Sequence, residues 1–281
     1  MESETKTNKV ILIDWNIFVF RSIFAWRLNK KIPPTYTALN MLISILRKIG
    51  CHPDDRIILA IDSPKGSWRK QHDKNYKANR KEKRESFKDV NWSDIFRQFD
   101  SLIENIKIAT PFDIVQIDYY EADDIISAAC RFFNHQTCII VSSDSDYEQL
   151  LSYKHVKIFS PVSKKYKHIA NPAATLLKKI NKEATDNLIT PITNEQEYLT
   201  RLKIVDLCHL PPDVEYSVGK HLGYLFEEKE YDLTKLFFTS LQERFMNIYN
   251  SKDIVPEFPP IPKKKRQLTM FDKKNKKKEN R

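Results

Sequence analysis

Glycine is the scarcest informative residue in this chain: only Gly50, Gly66, Gly219 and Gly223 occur in 281 positions. No Gly-rich turn of the kind that cradles a nucleotide phosphate can be written with them, which excludes a P-loop or dinucleotide-binding fold. Cysteine is equally sparse. Cys51, Cys130, Cys138 and Cys208 form no C-x-x-C pair, and neither Cys51-His52 nor Cys208-His209 has the spacing of a zinc knuckle. A disulfide framework is therefore not expected, and a reducing compartment is. No apolar run is long enough to span a bilayer, residues 1–9 carry no signal-peptide core, and there are no internal repeats, so a soluble protein without a membrane partner is expected.

What is abundant is acid in one place and base in two others. Between Glu121 and Asp146 lie Glu121, Asp123, Asp124, Asp144 and Asp146, and the last two follow the apolar run Thr137–Val141. Carboxylates crowded into one pocket repel, and some must protonate unless a cation neutralises them. All-oxygen donors suit Mg²⁺ or Mn²⁺ rather than zinc. Two further apolar runs, Val10–Ile13 and Arg56–Ile61, end at Asp14 and Asp62, so three strands deliver acids to one sheet edge. A pair of divalent ions, Mg²⁺ with Mn²⁺ able to substitute, is the expected cofactor.

The charge of +10 sits in two segments. Lys65–Lys88 holds ten Lys/Arg against three acids and Lys263–Arg281 ten against two, while the rest of the chain is net acidic. In the first, Lys77, Arg80 and Arg84 have the i, i+3, i+7 spacing of one helical face, with Trp68 and Tyr76 interleaved, as a phosphate- and base-gripping element requires. Alternating strands and helices through the first half predict an α/β fold with a mostly parallel sheet. Residues 173–250 read as helical. From Pro256 onward a Pro-rich linker leads to a lysine-rich tail expected to be disordered, interrupted by the apolar island Gln267, Leu268, Met270 and Phe271.

Taken in order, LIDWN at Asp14, AIDSPKGSWRK at Asp62, NYKANRKEKR at Asn75–Arg84, YEADD at Tyr120–Asp124, SSDSDYEQL at Ser142–Leu150 and FSPVSKKY at Phe159–Tyr166 resemble the flap endonuclease and 5′-to-3′ exonuclease family, most closely its T-even-like phage branch. The resemblance covers about residues 9–190. It implies a PIN/FEN-like, mostly parallel central sheet flanked by helices, with a helical arch and a helical C-terminal subdomain: a catalytic domain over 1–170 with the arch at about 65–90, the helical subdomain over 171–255, and the basic tail over 256–281.

The resemblance also implies roles. Asp14, Asp62, Glu121 and Asp123 would bind the metal nearer the nucleophile, and Asp124, Asp144 and Asp146 would complete the pocket toward a second. Glu183 and Asp186, in what resembles the third acidic motif, would be outer ligands. Lys77 and Arg80 would face the scissile phosphate, with Arg21, Arg69, Tyr76 and Arg84 as further nucleic-acid contacts. The glycine opening the third motif is Lys182 here, and the Gly-rich hairpin that grips duplex backbone is absent between Leu188 and Leu202.

The implied activity is a monomeric, Mg²⁺-dependent two-metal phosphodiesterase that removes RNA from RNA–DNA hybrids, degrades DNA from 5′ ends and cuts 5′ flaps during replication of a virus or phage. The tail island resembles a sliding-clamp-binding peptide, and Pro262–Arg266 resembles a nuclear import signal, so the compartment expected is cytoplasmic, or nuclear in a eukaryotic host. Two rival readings share these residues, a PIN-like ribonuclease and a catalytically weak or silent clamp-tethered junction binder.

Overall fold

The computed structural model describes residues 8–80, 84, 86–181, 192–226 and 230–249. Glu183, Asp186 and the tail with Gln267, Leu268, Met270 and Phe271 lie outside them. The chain runs β1 (Val10–Asp14), α1 (Trp15–Leu28), α2 (Pro34–Lys48), β2 (Arg56–Ile61), a 3₁₀ turn (Trp68–Gln71), α3 (Trp92–Ala109), β3 (Asp113–Gln116), α4 (Ala122–Phe132), β4 (Cys138–Val141), a 3₁₀ segment (Asp146–Ser152), β5 (Val156–Ser160), β6 (Lys165–Tyr166), α5 (Pro172–Asn181), α6 (Glu195–Val205), α7 (Pro212–Gly223) and α8 (Thr239–Tyr249).

The six strands form one sheet in the order β3-β2-β1-β4-β5-β6. All neighbours are parallel except β5 and β6, where Phe159 pairs with Tyr166. Continuous burial along β1 and β4 explains their unbroken apolar sequences. Successive residues face opposite cores, because side chains alternate along a strand. Ile11, Ile13, Ile57, Leu59, Ile139 and Val141 join α1, α2, α3 and α8 on one face. Val10, Leu12, Ile58, Ala60 and Ile140 join α4, α7 and Tyr147 on the other. The late helices α7 and α8 thus complete the two cores of the sheet instead of building one of their own.

Two local features follow from the backbone. Gly50, at φ +64°, ends α2 in the left-handed conformation that glycine adopts without steric cost. Asn91 Oδ1 accepts from Asp94 N at 3.1 Å and starts α3. The order of strands reverses direction at β1, from which the chain steps to β2 and β3 on one side and to β4 and β5 on the other. In open α/β sheets the crevice at such a switch point, beyond the carboxyl ends of the strands, is where ligands bind.

Candidate active site

Asp14 ends β1 and Asp144 follows β4 at that switch point, and Ser142 connects them. Its hydroxyl donates to Asp14 Oδ2 at 3.1 Å and accepts from Asp144 N at 3.0 Å. Asp144 Oδ1 in turn accepts from Asp146 N at 2.9 Å, holding the turn after β4. From the other side, Asp62 Oδ1 accepts from Ala122 N at 2.8 Å, so the end of β2 caps the first turn of α4. That turn carries Glu121, Asp123 and Asp124, and its exposed amides favour negative charge.

The electrostatics identify the shared space. Burial pushes the Asp14 carboxyl well above the ordinary carboxylate range, and Asp123, Asp62 and Asp144 push it further. Asp123 is pushed up to about 6, first by burial and then by Asp144 and Glu121, with Lys77 and Arg69 working the other way. Asp62 is raised by burial, against which Lys77 and Arg80 act. Asp62, Asp123 and Asp144 therefore all act on Asp14 across one space, whose positive charge is too small to hold Asp14, Asp62 and Asp123 at their ordinary values.

Glu121 and Asp124 are differently placed. Asp124 is fully buried. Its Oδ2 accepts from Glu121 N at 2.9 Å, Trp68 Nε1 at 3.1 Å and Arg69 Nη1 at 2.9 Å, and its Oδ1 accepts from Arg69 Nη2 at 2.7 Å. Those bonds occupy the carboxylate, so this geometry departs from the expectation of Asp124 as a ligand of the second metal. Glu121 Oε2 accepts from Arg69 Nη1 at 3.1 Å and from Tyr76 Oη at 2.9 Å, and Oε1 from Lys77 Nζ at 2.7 Å. Burial alone would raise Glu121; Lys77 and Arg69 bring it below its ordinary value.

The basic segment also differs from expectation. Arg69 and Tyr76 are 2% and 4% exposed, packed against α4 and not presented to a nucleic acid. Lys77 has φ +56°, a left-handed backbone that no α-helix contains, so it precedes the helical residues at Asn79 and Arg80 and does not share one helical face with Arg80 and Arg84. Its ammonium still reaches the pocket, and the charge of Arg80 still reaches Asp62. Arg84 is exposed, as is Arg21 on α1. Asp146 pairs with Lys179 of α5. Lys167 Nζ donates to Ser143 O and Asp144 O, both at 3.2 Å, and to Glu148 Oε1 at 2.9 Å, bracing the turn. The sequence reading assigned no role to Ser142, Lys167 or Lys179. Each acts through a partner on another element, and only Ser142, inside the acidic motif, carried a local signal.

Among the described residues no three His, Cys, Asp or Glu side chains converge as a ready-made metal cage. The donors do fit a partly hydrated ion: all are carboxylate oxygens, and Mg²⁺ takes one or two carboxylates while keeping several waters. No described helix is long and apolar enough to cross a membrane.

Comparison with known proteins bears on the family and the fold. Residues 9–182 match the family model of the 5′-3′ exonuclease N-terminal resolvase-like domain. Ribonuclease H of enterobacteria phage T4 is 33% identical over 154 residues, covering 53% of this chain and 50% of that protein. A 5′-3′ exonuclease of Buchnera aphidicola subsp. Baizongia pistaciae is 30% identical over 161 residues, covering 54% and 49%. The chain thus matches about half the length of these relatives.

The solved structure of phage T5 5′-exonuclease with bound zinc aligns with a TM-score of 0.61 at 17% identity, over 78% of this chain and 100% of that one. The bacteriophage T5 flap endonuclease in a pseudo-enzyme–product complex with DNA and metal ions aligns with a TM-score of 0.59 at 18% identity, over 79% and 100%. At these identities the likeness speaks for the fold, a resolvase-like, mostly parallel sheet. The family model spans more than half of the chain, and the chain belongs to the flap endonuclease/5′-3′ exonuclease family, whose members hydrolyse phosphodiester bonds.

Proposed function

We propose that this chain is a divalent-metal-dependent nuclease acting at 5′ ends: it removes RNA from RNA–DNA hybrids, degrades DNA from 5′ termini and cuts 5′ flaps near the single-strand junction, in the replication of a virus or phage. The observation that carries this reading is the meeting of Asp14, Asp62, Asp123 and Asp144 at the β1/β4 switch point with more negative charge than their surroundings neutralise. The names of the T4 ribonuclease H and the bacterial 5′-3′ exonuclease support the substrate class. The DNA and metal ions of the T5 complex support the partners.

Two Mg²⁺ ions, or Mn²⁺ in their place, held by Asp14, Asp62, Asp123 and Asp144, would supply Lewis-acid stabilisation of phosphate oxygens and a nucleophilic water at neutral pH. The protein's own groups do the rest. Ser142 holds Asp14 and Asp144 in register, and Asp62 fixes the start of α4. Lys77 leaves Glu121 for the scissile phosphate and, with Arg80, stabilises charge that develops there. Glu121 and Asp146 then become available as ligands, with Glu183 and Asp186 as outer ones. Arg21 and Arg84 contact backbone phosphates, and the basic tail adds affinity without sequence preference. Gln267, Leu268, Met270 and Phe271 dock on a sliding clamp. The protein works as a monomer in the host cytoplasm, or in the nucleus of a eukaryotic host.

The test is hydrolysis of a 5′-labelled flap and of an RNA–DNA hybrid by protein stripped with chelator and resupplied with Mg²⁺. Mg²⁺-restored cleavage that Asp144→Asn abolishes is the expected result. Binding of both substrates without cleavage would identify a silent junction binder instead.

A further inference from the structure

Arg69 has no part in the steps above, yet each nitrogen of its guanidinium donates a hydrogen bond. It is 2% exposed. Its guanidinium joins two elements, α6 and the start of α4: Nε donates to Ile204 O of α6 at 2.8 Å, Nη1 to Glu121 Oε2 and Asp124 Oδ2, and Nη2 to Asp124 Oδ1. The Trp68 ring lies 4.8 Å from Cζ and the Tyr76 ring 6.0 Å. These two residues repeat the pattern, Trp68 Nε1 donating to Asp124 and Tyr76 Oη to Glu121. One short stretch of the basic segment thus closes like a bracket on the two carboxylates that flank Asp123.

That placement has a geometric result. Residues in one helical turn point about 100° apart, so pinning Glu121 and Asp124 leaves Asp123 to face the pocket. Ile204 O is among the last carbonyls of α6, which lack partners within the helix, so the same guanidinium also caps α6. A planar fork with five N–H donors can satisfy these acceptors together; an ammonium cannot.

We infer that Arg69 is a positioning residue of the metal pocket, setting the orientation of Asp123 through Glu121 and Asp124 and tying it to the end of α6. The inference rests on the divalent site proposed above. Outer partners of metal ligands typically govern affinity by about 10- to 100-fold, and Arg69 stands in that relation to Glu121, two residues before Asp123.

The experiment compares Mn²⁺ binding, followed by electron paramagnetic resonance, in the full chain, in Arg69→Lys and in Leu102→Ala, a fully buried residue on the opposite face of the sheet. Arg69→Lys is expected to weaken Mn²⁺ binding about tenfold, and to lower kcat on a 5′ flap while leaving KM for the flap near wild type. Leu102→Ala is expected to lower Tm and leave the Mn²⁺ affinity unchanged. Unchanged affinity in Arg69→Lys, or an equal loss in Leu102→Ala, would overturn the inference. If Arg69→Lys does not fold, Asp124→Asn takes its place. It keeps an oxygen for Glu121 N but loses the charge that Arg69 grips, and the same two outcomes decide. Mn²⁺ bound by no protein, wild type included, would overturn the divalent site and this inference with it.

Discussion

The Lys77 ammonium lies 2.7 Å from Glu121 Oε1, on the rim of a pocket whose other carboxylates repel one another. Lysine here does part of the neutralising that a metal ion would do. Its left-handed backbone, φ +56°, is a conformation a non-glycine residue adopts at some cost, of the kind found where function requires a fixed side-chain position. Lys77→Met is therefore expected to act in opposite directions on binding and turnover. Divalent binding measured by calorimetry should tighten, because Glu121 loses a competing cation. Cleavage of a 5′ flap at saturating Mg²⁺ should fall by about 10²-fold, the usual loss on removing one stabilising group at a reacting centre.

Asp124 should behave as a structural acid and Asp144 as a functional one. Asp124→Ala takes from a buried guanidinium the nearer of its two carboxylate partners, leaving Glu121, and should cost about 3 kcal/mol in urea unfolding, the low end for breaking a buried pair. Asp144 is exposed. Asp144→Asn should leave the unfolding free energy in urea within about 0.5 kcal/mol of wild type, as exposed substitutions usually do, while abolishing cleavage. Equal effects of the two substitutions on stability would refute this division.

Asp123 gives a pH dependence whose sign is unusual for an acid. Its folded-state value of about 6 lies above the ordinary 3.8. The folded protein therefore holds this proton more tightly than the unfolded chain does. Its contribution to stability is full below about pH 4 and is lost as pH rises through about 6. Asp14 and Asp62 are raised too and act in the same direction. Asp123→Asn should accordingly stabilise the metal-free protein at pH 7.5 by roughly 1–3 kcal/mol and do little at pH 4. Thermal melts in chelator at the two pH values measure it, and Mg²⁺ should raise the wild-type Tm at pH 7.5 but not that of Asp123→Asn.

Ser142 offers the smallest informative change. Ser142→Ala removes the donor to Asp14 and the acceptor for Asp144 N, a loss of about 1–3 kcal/mol for buried groups left unpaired. Because both bonds fix carboxylates of the pocket, kcat should fall by roughly tenfold or more, with flap affinity, measured by anisotropy, unchanged.

The central sheet and the acids at its edge were legible because their signals are local. Val10–Ile13 and Thr137–Val141 are apolar runs ended by Asp or Ser-Asp, and a buried parallel strand followed by a loop acid needs nothing more to be seen. The inner and outer acids of YEADD were not separable in the same way. Asp123 and Asp124 are neighbours in sequence, and partners far from them, Trp68 and Arg69, the latter 55 residues before Asp124, divide them into one that faces the pocket and one that holds the helix. Arg69 itself reads as one more cation of a basic segment, since nothing in its neighbours announces burial. Lys77 was found by composition but misplaced by periodicity, because a single residue in left-handed geometry breaks the helical spacing without changing the sequence pattern. Lys167 and Lys179 gave no local signal, as each lies more than 20 residues beyond the acidic motif whose turn it braces.

The most direct measurement is the anomalous scattering of Mn²⁺ soaked into crystals of the wild-type protein. Density within coordinating distance of Asp14, Asp62, Asp123 and Asp144, with the carboxylate of Asp124 still held by Arg69, is the predicted result. Mn²⁺ bound instead to Asp124, or no Mn²⁺ at the β1/β4 switch point in crystals of a protein that cleaves flaps in solution, would contradict it.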